Sequence, residues 1–333
     1  MTKTASWLLS IGVLLFVAVL VSQDLPAIIA TLAHAGWGLL LLAAFHLLPL
    51  WLDAAAICVL LEPGSSRRPM RDSVLARWVG ESANSLMPAG QLGGPVLMAR
   101  YLARHGLAVQ EAAASITVST TLQTFAQIAF ALLGVVVLGT QTSHFSPTAL
   151  RTAALVASAF LAVQVGGFYL IQRRGLFSKL MSAVRRFSRK RDWSQWIAQA
   201  QAIDLAVQST YRRNGPVTAS FLLSLVGWIV GTGEVYLIAG FLGTPVSWRD
   251  AFVLESLGQA IRGAGFAIPG ALGVQEGGYL LLAPLAGLAP SAALALSLAK
   301  RTRELLLGLP GLLFLRFANR EAAAAAPSGA APP

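Results

Sequence analysis

The chain has 333 residues, of which 56% are hydrophobic and only 12% charged, with a formal net charge of +11. Soluble domains carry about 25% charged residues, so a water-facing surface is excluded for most of this chain and lipid must cover it. The lone cysteine, Cys58, excludes an intrachain disulfide and a thiolate metal centre. In a soluble chain the positive balance would suggest nucleic acid. In a membrane chain it marks the cytoplasmic side and contact with anionic lipid heads, so nucleic acid is not an expected partner.

The first apolar run, Ser6 to Val21, lies behind Lys3 and resembles a signal-peptide core, but no small-x-small cleavage site follows it. With more spans downstream it reads as an uncleaved anchor. Further runs cover Gly36 to Leu61, Ala112 to Leu138, Ala149 to Ile171, Val217 to Leu242 and Ser291 to Leu315. Each is long enough for a spanning helix, giving about six full spans.

Two regions are apolar but interrupted. In 73–105 the break contains Pro88, Gly90, Gln91, Gly93, Gly94 and Pro95; in 250–288 it contains Pro269, Gly270 and Gly273. Proline removes a backbone donor and glycine weakens a helix. Non-helical backbone is tolerated at membrane depth only where protein or a cavity surrounds it. As helix, Ser73 to Leu86 is about 21 Å long and Pro95 to His105 about 16 Å, short of a hydrocarbon core of about 30 Å. The first region therefore reads as a re-entrant hairpin, and the second is read the same way by analogy. If the hairpin arms cross instead, the count rises to about eight spans or more.

Basic residues place the loops. Lys3, Arg67, Arg68, Arg71, Arg100, Arg104, Arg316 and Arg320 fall on one side of this topology. The opposite loops, Gln23 to Ala35 and Gly139 to Thr148, contain neither Lys nor Arg, and Arg249 is the one basic residue on that side. Both termini are expected in the cytoplasm. The segment 173–215 lies on the same side and is rich in Arg and Lys, with apolar residues at helical spacing around Leu176 to Phe187 and Trp193 to Val207. It reads either as amphipathic helices in the membrane interface or as a basic loop that only sets topology. Residues 319–333, rich in Ala and Pro, read as a disordered tail.

The expected fold is an all-α polytopic membrane protein with one membrane domain, 1–318. Within it, 36–139 and 217–317 have the same order of span, broken hairpin and span in opposite orientation, an inverted repeat. Pro88-Ala-Gly-Gln-Leu-Gly93 is echoed by Pro269-Gly-Ala-Leu-Gly273. Interrupted segments at corresponding places of inverted halves point to a midplane binding site, with freed N–H groups suited to anions and freed carbonyls to cations.

Ionisable residues within spans are functional candidates. The first broken region has Arg77, Glu81 and Asn84; the second has Glu255, Arg262 and Glu276; the last span has Lys300, Arg301, Arg303 and Glu304. Spacing allows Arg77 to pair with Glu81 and Lys300 with Glu304. Asp53 and Glu234 sit in other spans. One reading is a polar cavity for a lipid headgroup, with Arg301 or Arg303 facing phosphate. The other is a set of charges that pair only to hold the bundle. Gly227-x-x-x-Gly231 and Gly90-x-x-x-Gly94 read as helix-packing contacts. No H-E-x-x-H, G-x-S-x-G, S-x-x-K or Walker A pattern is present, and neither catalytic residues nor a cofactor are expected.

Three stretches carry a family resemblance. Arg77-Trp-Val-Gly-Glu81-Ser-Ala-Asn84-Ser-Leu-Met-Pro88, followed by Gly93 and Arg100, resembles the first signature of the lysylphosphatidylglycerol synthase transmembrane-region, flippase-like family. Phe266 to Gly277 is similar to its second signature and Leu298 to Leu305 to its last. Gln275-Glu276-Gly277-Gly278 with Lys300 to Pro310 is most similar to the hopanoid-biosynthesis-associated branch. One departure is Gly94-Pro95, where many relatives have an acidic residue.

The resemblance implies a bacterial inner-membrane protein that moves or presents a polar lipid between leaflets, with lipids and lipid-biosynthesis proteins as partners. It implies no aminoacyl transfer, because only a short tail follows the last span. Two alternatives stay open at this point, a membrane enzyme or accessory subunit of isoprenoid lipid metabolism and a scaffold without substrate.

Overall fold

The computed structural model describes residues 25–87, 93–139, 166–187, 194–265 and 268–324, together with 152, 159, 162 and 163. All regular structure among these residues is helical. The expected span Ser6 to Val21, most of Ala149 to Ile171, and the break residues Pro88, Gly90 and Gln91 lie outside the described residues.

Helix α1 covers Leu25–Ala35 and α2 covers Gly38–Cys58. The segment 23–35, expected as a loop, is thus largely a helix, although at about 16 Å it is too short to cross a bilayer. Helix α2 buries one face through Leu42, His46, Leu50 and Ala54 and exposes Leu40, Leu41, Leu47, Leu48 and Trp51 on the other. So large an exposed apolar face is the kind that contacts lipid or another protein.

Helix α3 covers Pro69–Leu86, with proline in its first turn, where the missing N–H has no helical partner to lose. It ends at Met87, which is extended at ψ 143° because the following Pro88 disfavours helical backbone there. Helix α4 covers Gly93–Arg104 and packs back against α3. A Cβ on Gly94 would overlap both Asn84 and the carbonyl of Gly80, so glycine is required for this approach. Helix α5, Val109–Gly139, exposes Leu132, Leu133 and Val136.

Helices α6, Leu176–Phe187, and α7, Ser194–Arg212, form the segment expected to be amphipathic. Asp204 of α7 caps the start of α6 by accepting from the backbone N–H groups of Phe177, at 2.9 Å, and Ser178, at 2.8 Å. Val207 of α7 is buried with Leu60, Ala114, Val118 and Leu122, so α7 is docked on α5 rather than lying free. Just beyond it, Arg213 donates to the carbonyls of Leu60 and Leu61 past the end of α2. A plain basic loop is excluded for the described part of this segment.

Helix α8 covers Asn214–Phe241 and packs extensively on α2. Helix α9 covers Trp248–Ala264, a 3-10 turn covers Pro269–Ala271, and α10 covers Val274–Leu282. After a second 3-10 turn at Ala283–Ala286, helix α11 runs from Pro290 to Ala324. It extends into the expected disordered tail, since the Ala-rich sequence after Asn319 has high helix propensity. Residues 325–333 lie outside the described residues.

Helices α2, α5 and α8 are each long and apolar enough to cross a membrane, and the protein is an all-α polytopic membrane protein. The order of long helix, broken helix pair and long helix occurs twice, as α2, α3–α4, α5 and as α8, α9–α10, α11. In each broken pair the longer arm comes first, 18 residues then 12 in one and 17 then 9 in the other. The longer arms, at about 26 to 27 Å, nearly match the hydrocarbon thickness and exceed the length expected for a shallow hairpin.

Candidate functional site: a charge-paired cavity between the two broken helices

A cavity of about 210 Å³ lies between α2, α3, α5, α8, α9 and α11. One water needs roughly 10–15 Å³ on this scale, so the space is ample for a small polar group. Asn84, Ser85 and Pro95 bring the flanks of the first break to its wall, and Gly270 brings the second break. The two meet directly, because a Cβ on Gly270 would stand 3.2 Å from the carbonyl of Ser85.

The cavity's ionisable side chains are organised in pairs across helices. Arg77 of α3 lies 2.6 Å from Asp53 of α2, which also accepts from Gln123 of α5 at 2.7 Å. Lys300 of α11 lies 2.6 Å from Glu255 of α9, whose carboxylate also accepts from Gln259 and Tyr279. Arg262 of α9 lies 2.8 Å from Glu304 of α11. His46 of α2 bridges Glu81 of α3, at 2.7 Å, and Glu234 of α8, at 2.5 Å. Arg303 of α11 lies against the same imidazole and 3.4 Å from Glu234.

Replacing a well-formed buried ion pair by packed apolar residues is often neutral or stabilising. Stability alone therefore does not explain four cations, five carboxylates and a histidine around one cavity. A neutral wall adjoins them, where Gln123, Gln127, Thr120, Thr124 and Trp228 face the same space.

The second break is braced by two residues beside the cavity. Glu276, fully buried, accepts the N–H of Gly273 at 2.8 Å and so occupies the positive end of α10. Arg301 pairs with Glu276 at 3.1 Å and donates to the carbonyls of Gly270, at 2.5 Å, and Ala271, at 3.2 Å. Gly270, Ala271 and Gly273 all have positive φ, which is unusual for alanine. At this break the Gly273 N–H and the Gly270 and Ala271 carbonyls, groups of the kind expected to face a ligand, are satisfied by the protein's own side chains.

Eight of the expected binding residues line the cavity, namely Arg77, Glu81, Asn84, Glu255, Arg262, Lys300, Arg303 and Glu304. Arg301 and Glu276 do not; they hold the break. Arg100 is exposed on α4 and stands outside the cavity wall. Gln91 lies outside the described residues. The expected Lys300–Glu304 pair is not formed, because α9 presents Glu255 to Lys300 and Arg262 to Glu304. Arg77 reaches Glu81 only at 4.0 Å and gives its close contact to Asp53. Gly227 packs against Leu52 and Asp53 as expected of a packing contact, whereas Gly231 has open space before it, and both line the cavity.

The sequence alone does not single out His46, Gln123 or Gln127, and it shows Asp53 and Glu234 within spans but not what they pair with. The signal for His46 was available, since an ionisable residue inside the apolar run Gly38–Cys58 is itself an exception.

The chain matches the family described as "Lysylphosphatidylglycerol synthase TM region" over residues 6–311. It is similar to a "UPF0104 membrane protein" of Methanothermobacter thermautotrophicus, with 26% identity over 237 residues, 67% of this chain and 68% of the relative. No solved structure matches it.

Proposed function

The chain belongs to the family of the lysylphosphatidylglycerol synthase transmembrane region, and on that premise we propose that it moves or presents a polar lipid between the leaflets of a bilayer. The observation that carries this reading is the meeting of both helix breaks at one charge-lined cavity. Such a cavity receives a headgroup while the acyl or isoprenoid part stays against the apolar outer faces of the helices. Alternating access then consists of one unit, α2 to α5, rocking against the other, α8 to α11, around a common site, as inverted-repeat carriers do.

The finer parts of the proposal are a bacterial inner-membrane location with cytoplasmic termini, lipid-biosynthesis proteins as neighbours, and a hopanoid or other isoprenoid lipid as the narrower substrate. The site is read as one of binding and movement rather than catalysis. A scaffold without substrate is the second reading, and the mutual pairing of the cavity's charges favours it.

Reconstitution decides between them. Vesicles carrying the protein and headgroup-labelled lipids of anionic, zwitterionic and hopanoid type should exchange label between leaflets faster than empty vesicles for at least one class. Equal rates for all classes would leave the scaffold reading.

A further inference from the structure

We propose that His46 is the proton site of this protein, and that a proton on its imidazole releases Arg303 to bind a singly charged, phosphate-bearing lipid headgroup. This rests on the reading of the cavity as a headgroup site.

Counting hydrogen-bond donors shows why a proton is needed. Nε2 of His46 is 2.7 Å from Glu81 and Nδ1 is 2.5 Å from Glu234. A neutral imidazole has one N–H and donates to one carboxylate only, whereas an imidazolium donates to both. Arg303 competes for the same acceptors. It lies against both ring nitrogens, 3.4 Å from the Glu234 oxygen and 4.0 Å from the Glu81 oxygen. Imidazole and guanidinium thus share the two carboxylates, and a charge added to the ring at this distance in a low-dielectric site weakens their hold on Arg303. Beside a neutral His46 the carboxylates hold Arg303 more tightly, and an imidazolium that donates to both loosens it.

Arg303 is suited to that release. Its Nε is buried and makes no hydrogen bond among the described residues, leaving a guanidinium donor spare. Guanidinium is also the side chain best matched to phosphate oxygens. The surrounding charged groups are otherwise engaged. On α3, Arg77 is held by Asp53 of α2. On α9, Glu255 takes Lys300 of α11, and Arg262 takes Glu304 of α11. Glu304 lies 3.7 Å from Arg303 but is already shared by Arg262 and Arg301.

Charge balance agrees with the exchange. With a neutral imidazole, His46, Arg303, Glu81 and Glu234 sum to one negative charge. The proton brings the quartet to neutrality, and one bound anion restores the starting charge. Uptake of a proton thereby offsets the cost of burying a lipid's charge. The four residues come from α2, α3, α8 and α11, so the exchange changes contacts between the two units and biases their relative position.

Calorimetric titration tests this with protein in neutral detergent and dihexanoylphosphatidylglycerol as probe, across neutral to alkaline pH, in two buffers of different ionisation enthalpy. Wild type should take up about one proton per lipid bound. His46→Gln should bind at least about tenfold more weakly and without uptake, and Arg303→Gln should lose binding. Wild-type binding with no proton uptake, or no wild-type binding, overturns the proposal, and neither result depends on a variant folding. Vesicles that move labelled lipid while the titration shows no uptake would overturn the His46 assignment and leave the lipid-moving role. Proton-linked binding in detergent with no lipid movement in vesicles would do the reverse.

Discussion

Lys300 Nζ lies 2.6 Å from Glu255 Oε2, with the two side chains only 2% and 3% exposed. This contact ties α11 to α9 at the cavity wall. Removing one partner of a buried pair leaves an uncompensated charge, which costs about 3–5 kcal/mol. Lys300→Met should therefore destabilise the protein by that amount, while Lys300→Met with Glu255→Leu should recover most of it. Thermal unfolding in detergent checks both. A double variant no more stable than the single would mean that Lys300 is held by something other than Glu255.

Two glycines separate packing from cavity. Gly94→Ala would drive a methyl into the carbonyl of Gly80 and the side chain of Asn84. Backbone must shift, with a loss of about 1–3 kcal/mol. Gly231→Ala meets open space and should leave the folded state nearly unchanged while narrowing the cavity. Parallel melting curves distinguish the two, and equal destabilisation would contradict the packing described.

Arg301 is predicted to shape the break rather than to touch a headgroup. Arg301→Ala frees the carbonyls of Gly270 and Ala271 and leaves Glu276 without its cation. The variant should lose protection from hydrogen exchange at 268–276 selectively, and Arg301→Lys should restore only part of it because an ammonium lacks the planar fork. Unchanged exchange in this segment would remove the bracing role.

Orientation is open to a simple labelling experiment. With Cys58→Ser as background, Arg67→Cys should react with an impermeant thiol reagent from the cytoplasmic side and Pro245→Cys from the opposite side. Both positions are exposed in the structure. Reversed labelling would overturn the orientation inferred from basic residues.

How far the sequence foretold this structure depends on whether the determinant was local. Helices α2, α5 and α8 were legible because apolar length is a local property, and their ends lie within a few residues of those expected. Pro88 and Pro269 marked the breaks for the same reason. Helix α1 was missed because absence of Lys and Arg places a loop in the topology but says nothing about its conformation. The helical end of α11 was missed because lack of periodicity outweighed alanine's propensity. Pairing was not legible at all. Lys300 was matched to Glu304, four residues away on its own helix, whereas its partner is 45 positions away on α9. Spacing reports which side chains share a face and not which helix opposes it. The same limit hid the roles of Asp53 and Glu234, which only tertiary packing draws into the cluster.

Dithionite quenching of a headgroup-labelled lipid in reconstituted vesicles reads movement of a polar lipid through the cavity directly. Wild type should bring inner-leaflet label to the outside faster than protein-free vesicles do. Arg303→Ala, once shown to fold by size-exclusion profile and melting curve, should fall back toward the protein-free rate. Wild type indistinguishable from empty vesicles across anionic, zwitterionic and hopanoid lipids would contradict such movement.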